Sequence, residues 1–97
     1  MSEQPQFIWD DDKAAANLRK HDVDFDEAQS AFDDPYALLI PDEPHSDDEP
    51  RNVLIGYSQR NRLLFISFIE RSANRTRLIS ARLASHQERK QYEKKTR

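Results

Sequence analysis

The chain has no cysteine. Disulfides and thiolate metal sites are therefore excluded, and an intracellular home is the simpler expectation. It has a single glycine, Gly56, so no glycine-rich loop can cradle a phosphate. No apolar run approaches the length of a membrane span, and the opening MSEQPQF lacks the basic-then-apolar order of a signal peptide. The expected location is cytoplasmic, with no membrane partner. The three histidines, His21, His45 and His86, include no His-x-x-x-His pair, so a zinc site is not expected. The acids Asp42, Glu43, Asp47, Asp48 and Glu49 lack the glycine-turned spacing of an EF-hand and read as a solvated loop. No Ser–His–Asp arrangement stands out. With neither metal nor cofactor expected, any chemistry must come from side chains.

Acids are also scarce in the second half. Residues 1–50 hold 15 acids against 3 bases, and residues 51–97 hold 3 acids against 12 bases. The net charge of −3 therefore hides −12 in one half and +9 in the other. Such asymmetry points to a polyanionic partner for the basic half. Alternatively, the halves complement each other within the molecule. Charge alone leaves both readings open.

What is present fits one domain, since 97 residues are too few for two. Gln6–Trp9 reads as an edge strand. Asp10-Asp11-Asp12 opens a helix, where Asp meets unpaired amides, and Lys20-His21 closes it with cations at the negative dipole end. Asp24 caps a second helix, Phe25 to Phe32, which Asp33-Asp34-Pro35 ends. Tyr36–Ile40 and Arg51–Tyr57 read as strands flanking the proline- and acid-rich loop 41–50. Arg62–Ile69 and Thr76–Ala81, joined by a polar turn, read as a hairpin. Ser85 with Glu88 makes a capping box for a last helix, His86 to about Lys95. That helix is charged all round and is expected to lie loosely on the body. The pattern β-α-α-β-β-β-β-α predicts an α+β fold: a small antiparallel sheet packed with two N-terminal helices and one C-terminal helix.

Arg62, Arg71, Arg75, Arg77 and Arg82 punctuate the hairpin. Arginines on a packed sheet face are costly, so they imply an open face that binds anions. Guanidinium forks meet phosphate oxygens in pairs. Metal-free RNA cleavage needs a base for the 2′-hydroxyl, cations for the phosphorane and an acid for the 5′-oxygen. His21 and Glu70 suit proton transfer, with Tyr92 a third. Blander roles compete: His21 as a helix end, Glu70 paired with Arg71, Tyr92 as packing. Strict alternation would put Arg77 and Arg82 on opposite faces unless a bulge intervenes.

These residues also carry a resemblance. Phe7-Ile8-Trp9-Asp10 with Lys13, then Asn17 through Ala28, Phe32-Asp33-Asp34-Pro35, Arg51, Gly56, Glu70-Arg71, Arg77 through Arg82, Ala84, Glu88 and Tyr92 together resemble the BrnT family. The likeness spans nearly the whole chain. Ile69, where many relatives have Thr, and Leu78, where Ile is usual, depart from the pattern without removing a charge. The resemblance implies a RelE-like fold and an endoribonuclease toxin that arrests translation. It also implies a BrnA-type antitoxin with a ribbon-helix-helix half, through which alone operator DNA would be bound. His21, Glu70, Arg71, Arg77 and Arg82 are then the catalytic candidates, and Lys20, Arg62 and Arg75 the RNA-binding ones. The alternative is a non-catalytic module that holds nucleic acid or protein on the same basic sheet.

Overall fold

The computed structural model describes residues 6–43, 49–72 and 74–95. Residues 44–48 of the acidic loop, with His45, Asp47 and Asp48, lie outside them, as does Ala73 between β4 and β5. The chain runs β1 (Gln6–Ile8), α1 (Asp11–His21), α2 (Phe25–Ser30), a 3-10 turn (Ala31–Asp33), β2 (Leu38–Pro41), β3 (Arg51–Tyr57), β4 (Leu63–Arg71), β5 (Arg75–Leu83) and α3 (His86–Lys95).

The helix starts follow local chemistry. Asp10 accepts from the amides of Asp12 and Lys13, and Asp24 from that of Glu27 at 2.6 Å. Asp22 ends α1 in the left-handed region, φ 57°, placing Arg19, Lys20 and His21 in the last turn. The second helix is shorter than expected: its last turn tightens to 3-10 geometry at Ala31.

The five strands form one sheet, ordered β1-β5-β4-β3-β2. β2 to β5 are the expected antiparallel meander, but β1 joins the β5 edge in parallel, which makes the sheet mixed. β1 ends opposite Arg77, so the β5 edge beyond it would be bare. Asn17 of α1 covers that edge. Its amide donates to the Ala81 carbonyl at 2.8 Å, and its oxygen accepts from the Ala81 amide at 3.1 Å.

Alternation along β4 sorts the core into two layers. Leu64, Ile66 and Phe68 join Leu54, Leu78 and Ala81 beneath α1 and α2, with Val23, Phe25 and Ala28. Leu63 joins Val53, Ile55 and Tyr92 on the other face, beneath α3. The last helix is better anchored than its charge suggests. Tyr92 is buried and donates to Asp34 Oδ2 at 2.7 Å, Arg89 donates to the Tyr57 hydroxyl at 2.9 Å, and the Tyr57 and Tyr92 rings meet edge to face. One aromatic and one cation suffice because their partners come from distant segments.

Gly56 sits where the 3-10 turn presses on β3. A Cβ there would stand 3.0 Å from the Ala31 carbonyl oxygen and 3.2 Å from the Ala37 Cβ. Neither contact is the tip of a flexible side chain. Gly56→Ala is expected to cost about 1–3 kcal/mol, read from urea unfolding, by prising that turn off the sheet.

Candidate active site

One irregularity decides which arginines share a face. Ser67 pairs with Ser80, but Phe68 pairs with Leu78, so Ile79 is an extra residue in β5. This bulge shifts the alternation by one. Arg77 pairs with Ile69 and Arg82 with Phe65, and both β4 partners lie on the face opposite the helices α1 and α2. Arg77 and Arg82 are thus on the same face, not on opposite ones.

Four guanidinium groups gather at the hairpin end of that face. Arg51 and Arg77 flank Ile69 in one cross-strand row, their Cα atoms about 10 Å apart. Arg71 lies directly opposite Arg75. Like charges in that relation repel, so the local structure favours an anion nearby. Arg71 has one, Glu49 at 2.9 Å. Arg75 donates to the Ser72 carbonyl, and among the described carboxylates none pairs with Arg75 or Arg77.

Glu70 points to the other face, with Thr76 opposite it. It is exposed and makes no ion pair with Arg71; among the described residues it has no partner. Around the sheet end the two faces communicate. Glu70, Arg71 and Arg75 all line one open cleft of about 400 Å³. Its inner wall is Phe32, Leu54 and Phe68, and Leu39 of the β2 edge strand stands at its side.

The other predicted residues lie elsewhere. Arg62, expected on the RNA surface, is committed to the fold. Its Nε donates to Glu27 Oε2 at 2.9 Å, and its Nη2 bonds both Glu27 Oε1 and, at 2.8 Å, the Asp22 carbonyl. Glu27 is 1% exposed and also accepts from the Ser58 hydroxyl at 2.7 Å. The guanidinium beside it holds the Glu27 carboxyl below the usual carboxylate range, against the opposing effect of burial. Lys20 and His21 close α1 at this same end of β4, beside Asp22. Arg62 and Glu70 are eight residues apart, about 26 Å along an extended strand. His21 and Glu70 therefore do not meet at one phosphodiester.

Arg82 holds a middle position. Its guanidinium donates to both Glu88 oxygens, at 2.8 and 2.9 Å, and lies 4.0 Å from the Phe65 ring centroid. That pair raises the Arg82 pKa and lowers that of Glu88. Glu88 also accepts from the Ser85 amide, and Ser85 Oγ accepts in return, completing the expected capping box. Burial pushes the Tyr92 hydroxyl up, and its bond to Asp34 reinforces the shift. A hydroxyl so held acts as a latch for α3. Asp34 itself stays charged despite burial, because the amides of Tyr57 and Tyr36 and the Tyr92 hydroxyl all donate to it. Among the described residues no cluster of acids or histidines is arranged to hold a metal, and no helix is long and apolar enough to cross a membrane.

Arg51 and Phe32 are not among the site residues that the sequence predicts. Arg51 shares the parity of Val53 and Ile55 in its strand, and that is the signal that places it on the arginine face. Phe32 belongs to the Phe32-Asp33-Asp34-Pro35 motif of the resemblance and ends the apolar face of the second helix, but neither signal places it in a cleft.

Against this geometry, a family model described as the ribonuclease toxin BrnT of type II toxin–antitoxin systems matches residues 9–88. The chain belongs to that family. The Brucella abortus ribonuclease toxin BrnT, known from a 1.1 Å crystal structure, aligns with a TM-score of 0.66 at 24% identity. The alignment covers 86% of this chain and 100% of that one, which establishes a shared fold. No curated protein matches the sequence. The BrnT match spans β3, β4 and β5, and so takes in Glu70 and Arg51, Arg62, Arg71, Arg75, Arg77 and Arg82.

Proposed function

We propose that this chain is the toxin of a type II toxin–antitoxin pair, an endoribonuclease that cleaves RNA without a metal and thereby inhibits translation. The observation that carries the reading is the cleft where Glu70, Arg71 and Arg75 converge. Glu70, free of any described partner, takes the proton from a ribose 2′-hydroxyl. The 2′-oxygen attacks phosphorus to close a 2′,3′-cyclic phosphate, the P–O5′ bond breaks, and the departing 5′-oxygen takes a proton from water. Arg71 and Arg75, with Arg77 one alternate position along β5, bind the phosphate and offset the charge that builds on its oxygens. Arg82 supports the same face from its stack on Phe65. His21 and Lys20 sit at the far end of β4, away from the reacting phosphate.

A BrnA-type antitoxin would neutralise the toxin by laying an acidic or amphipathic segment over the arginines, and would supply the contact to operator DNA. The test is purified chain with single-stranded RNA in excess EDTA, beside expression in a bacterium. Cleavage that persists in EDTA, growth arrest, and loss of both in Glu70→Gln are expected. Salt-sensitive binding that leaves the RNA whole would make the chain a non-catalytic binding module instead.

A further inference from the structure

The cleft that gathers Glu70, Arg71 and Arg75 is far less polar inside than at its mouth. Phe32 and Phe68 meet edge to face with centroids 5.0 Å apart, and Leu54 lies beside them. Leu39 is 58% exposed on the edge strand β2, an apolar side chain with nothing described to cover it. Asp34 also lines the cleft, but three donors already occupy its two oxygens, so it offers little to a ligand. The result is a cleft of about 400 Å³ in all, with an aromatic and aliphatic recess behind a lip that carries Arg71 and Arg75 beside Glu70. That volume is at the small end of ligand pockets, roughly 300–1,000 Å³, too small for a folded duplex and ample for one base.

We propose that this recess seats a single unstacked nucleobase, that of the nucleotide whose phosphate Arg71 and Arg75 hold. The proposal rests on the ribonuclease reading for its substrate but adds a binding subsite to it. Charge complementarity selects the occupant. An anionic sugar–phosphate meets the guanidinium lip while a flat, uncharged ring enters the apolar interior, the division that single-stranded RNA presents. An acidic peptide would satisfy the lip but leave the aromatic interior empty. Duplex RNA keeps its bases stacked, so the recess also confines the protein to single-stranded or unwound segments.

The test uses the full chain and four probes: adenosine 3′-monophosphate, uridine 3′-monophosphate, ribose 5-phosphate and inorganic phosphate. Binding is followed by NMR of the Leu39 and Leu54 methyl groups. The nucleotides are expected to bind at least about tenfold tighter than ribose 5-phosphate, the gain that stacking one base supplies. They should also shift both methyl groups. Leu39→Trp, a change at an exposed edge position, is expected to fill the recess and erase that tenfold ratio. Its phosphate affinity and melting temperature should stay unchanged. Nucleotides binding no better than ribose 5-phosphate would overturn the proposal. So would tight nucleotide binding that leaves both methyl groups unmoved, which would place the base outside the recess. Base-dependent binding by a chain that cuts no RNA would fail the ribonuclease reading and keep the subsite; cleavage with base-indifferent binding would do the reverse.

Discussion

Arg62→Ala is expected to cost about 3–5 kcal/mol, most of what holds a small domain together. The substitution removes two hydrogen bonds from a carboxylate that is 1% exposed, and a third from the Asp22 carbonyl. Glu27 would keep Ser58, and Arg60 stands 3.7 Å away, too exposed to replace a bidentate fork. Arg62→Lys should recover little, because an ammonium cannot bridge both oxygens and the carbonyl together. Urea unfolding of the three proteins measures it. A loss below about 1 kcal/mol would show that Arg60 swings in to re-pair Glu27. The same pair sets the pH dependence. Glu27 has a folded pKa below its unfolded one, so its contribution is complete above the unfolded value, about 4.3. On acidification the unfolded chain binds protons first, and the contribution is lost as pH falls through the folded value. Asp34 and Glu88 are shifted the same way and add to the slope. Wild type should therefore be flat in stability above about pH 5 and weaken below it, and Arg62→Ala should weaken less steeply.

Arg75→Ala is expected to lower RNA cleavage by about 10²–10³-fold while leaving the fold intact. Arg75 is exposed at the hairpin end, and its described contact is a long one to the Ser72 carbonyl. Removing it also relieves its repulsion with Arg71, so the melting temperature should hold or rise slightly. Arg71→Ala should give a loss of similar size, with a small cost from its exposed pair to Glu49. Arg82→Ala should behave differently: part of its effect passes through Glu88 and the start of α3, so stability and cleavage fall together. Single-turnover cleavage with a thermal melt on each variant separates these patterns. Arg75→Ala protein that cuts RNA at the wild-type rate would remove the hairpin-end cleft as the reacting centre.

The charge division had two readings, and the structure shows the intramolecular one in part. Arg62 with Glu27 and Arg71 with Glu49 join the basic half to the acidic half. Among the described residues no carboxylate pairs with Arg75 or Arg77, which lie on the face away from α1 and α2. A count of charges cannot make that distinction, because a guanidinium reads the same in sequence whether it meets a buried glutamate or water.

Short-range information sufficed for the caps at Asp10, Asp24 and Ser85, the antiparallel hairpin and the boundaries of most strands. Each depends on groups within a few residues, whose preferences survive any tertiary setting. The resemblance that pointed to BrnT toxins was legible for a related reason: it is a matter of residue order alone. Tertiary structure decided the rest. It placed the bulge at Ile79 that turned Arg77 toward Arg82's face, kept His21 a strand's length from Glu70, committed Arg62 to Glu27, and opened the recess behind Arg71 and Arg75. The Arg62–Glu27 pair and the recess depend on partners 30 or more residues away and the bulge on a neighbouring strand, and one added residue in a strand reverses which side everything after it faces.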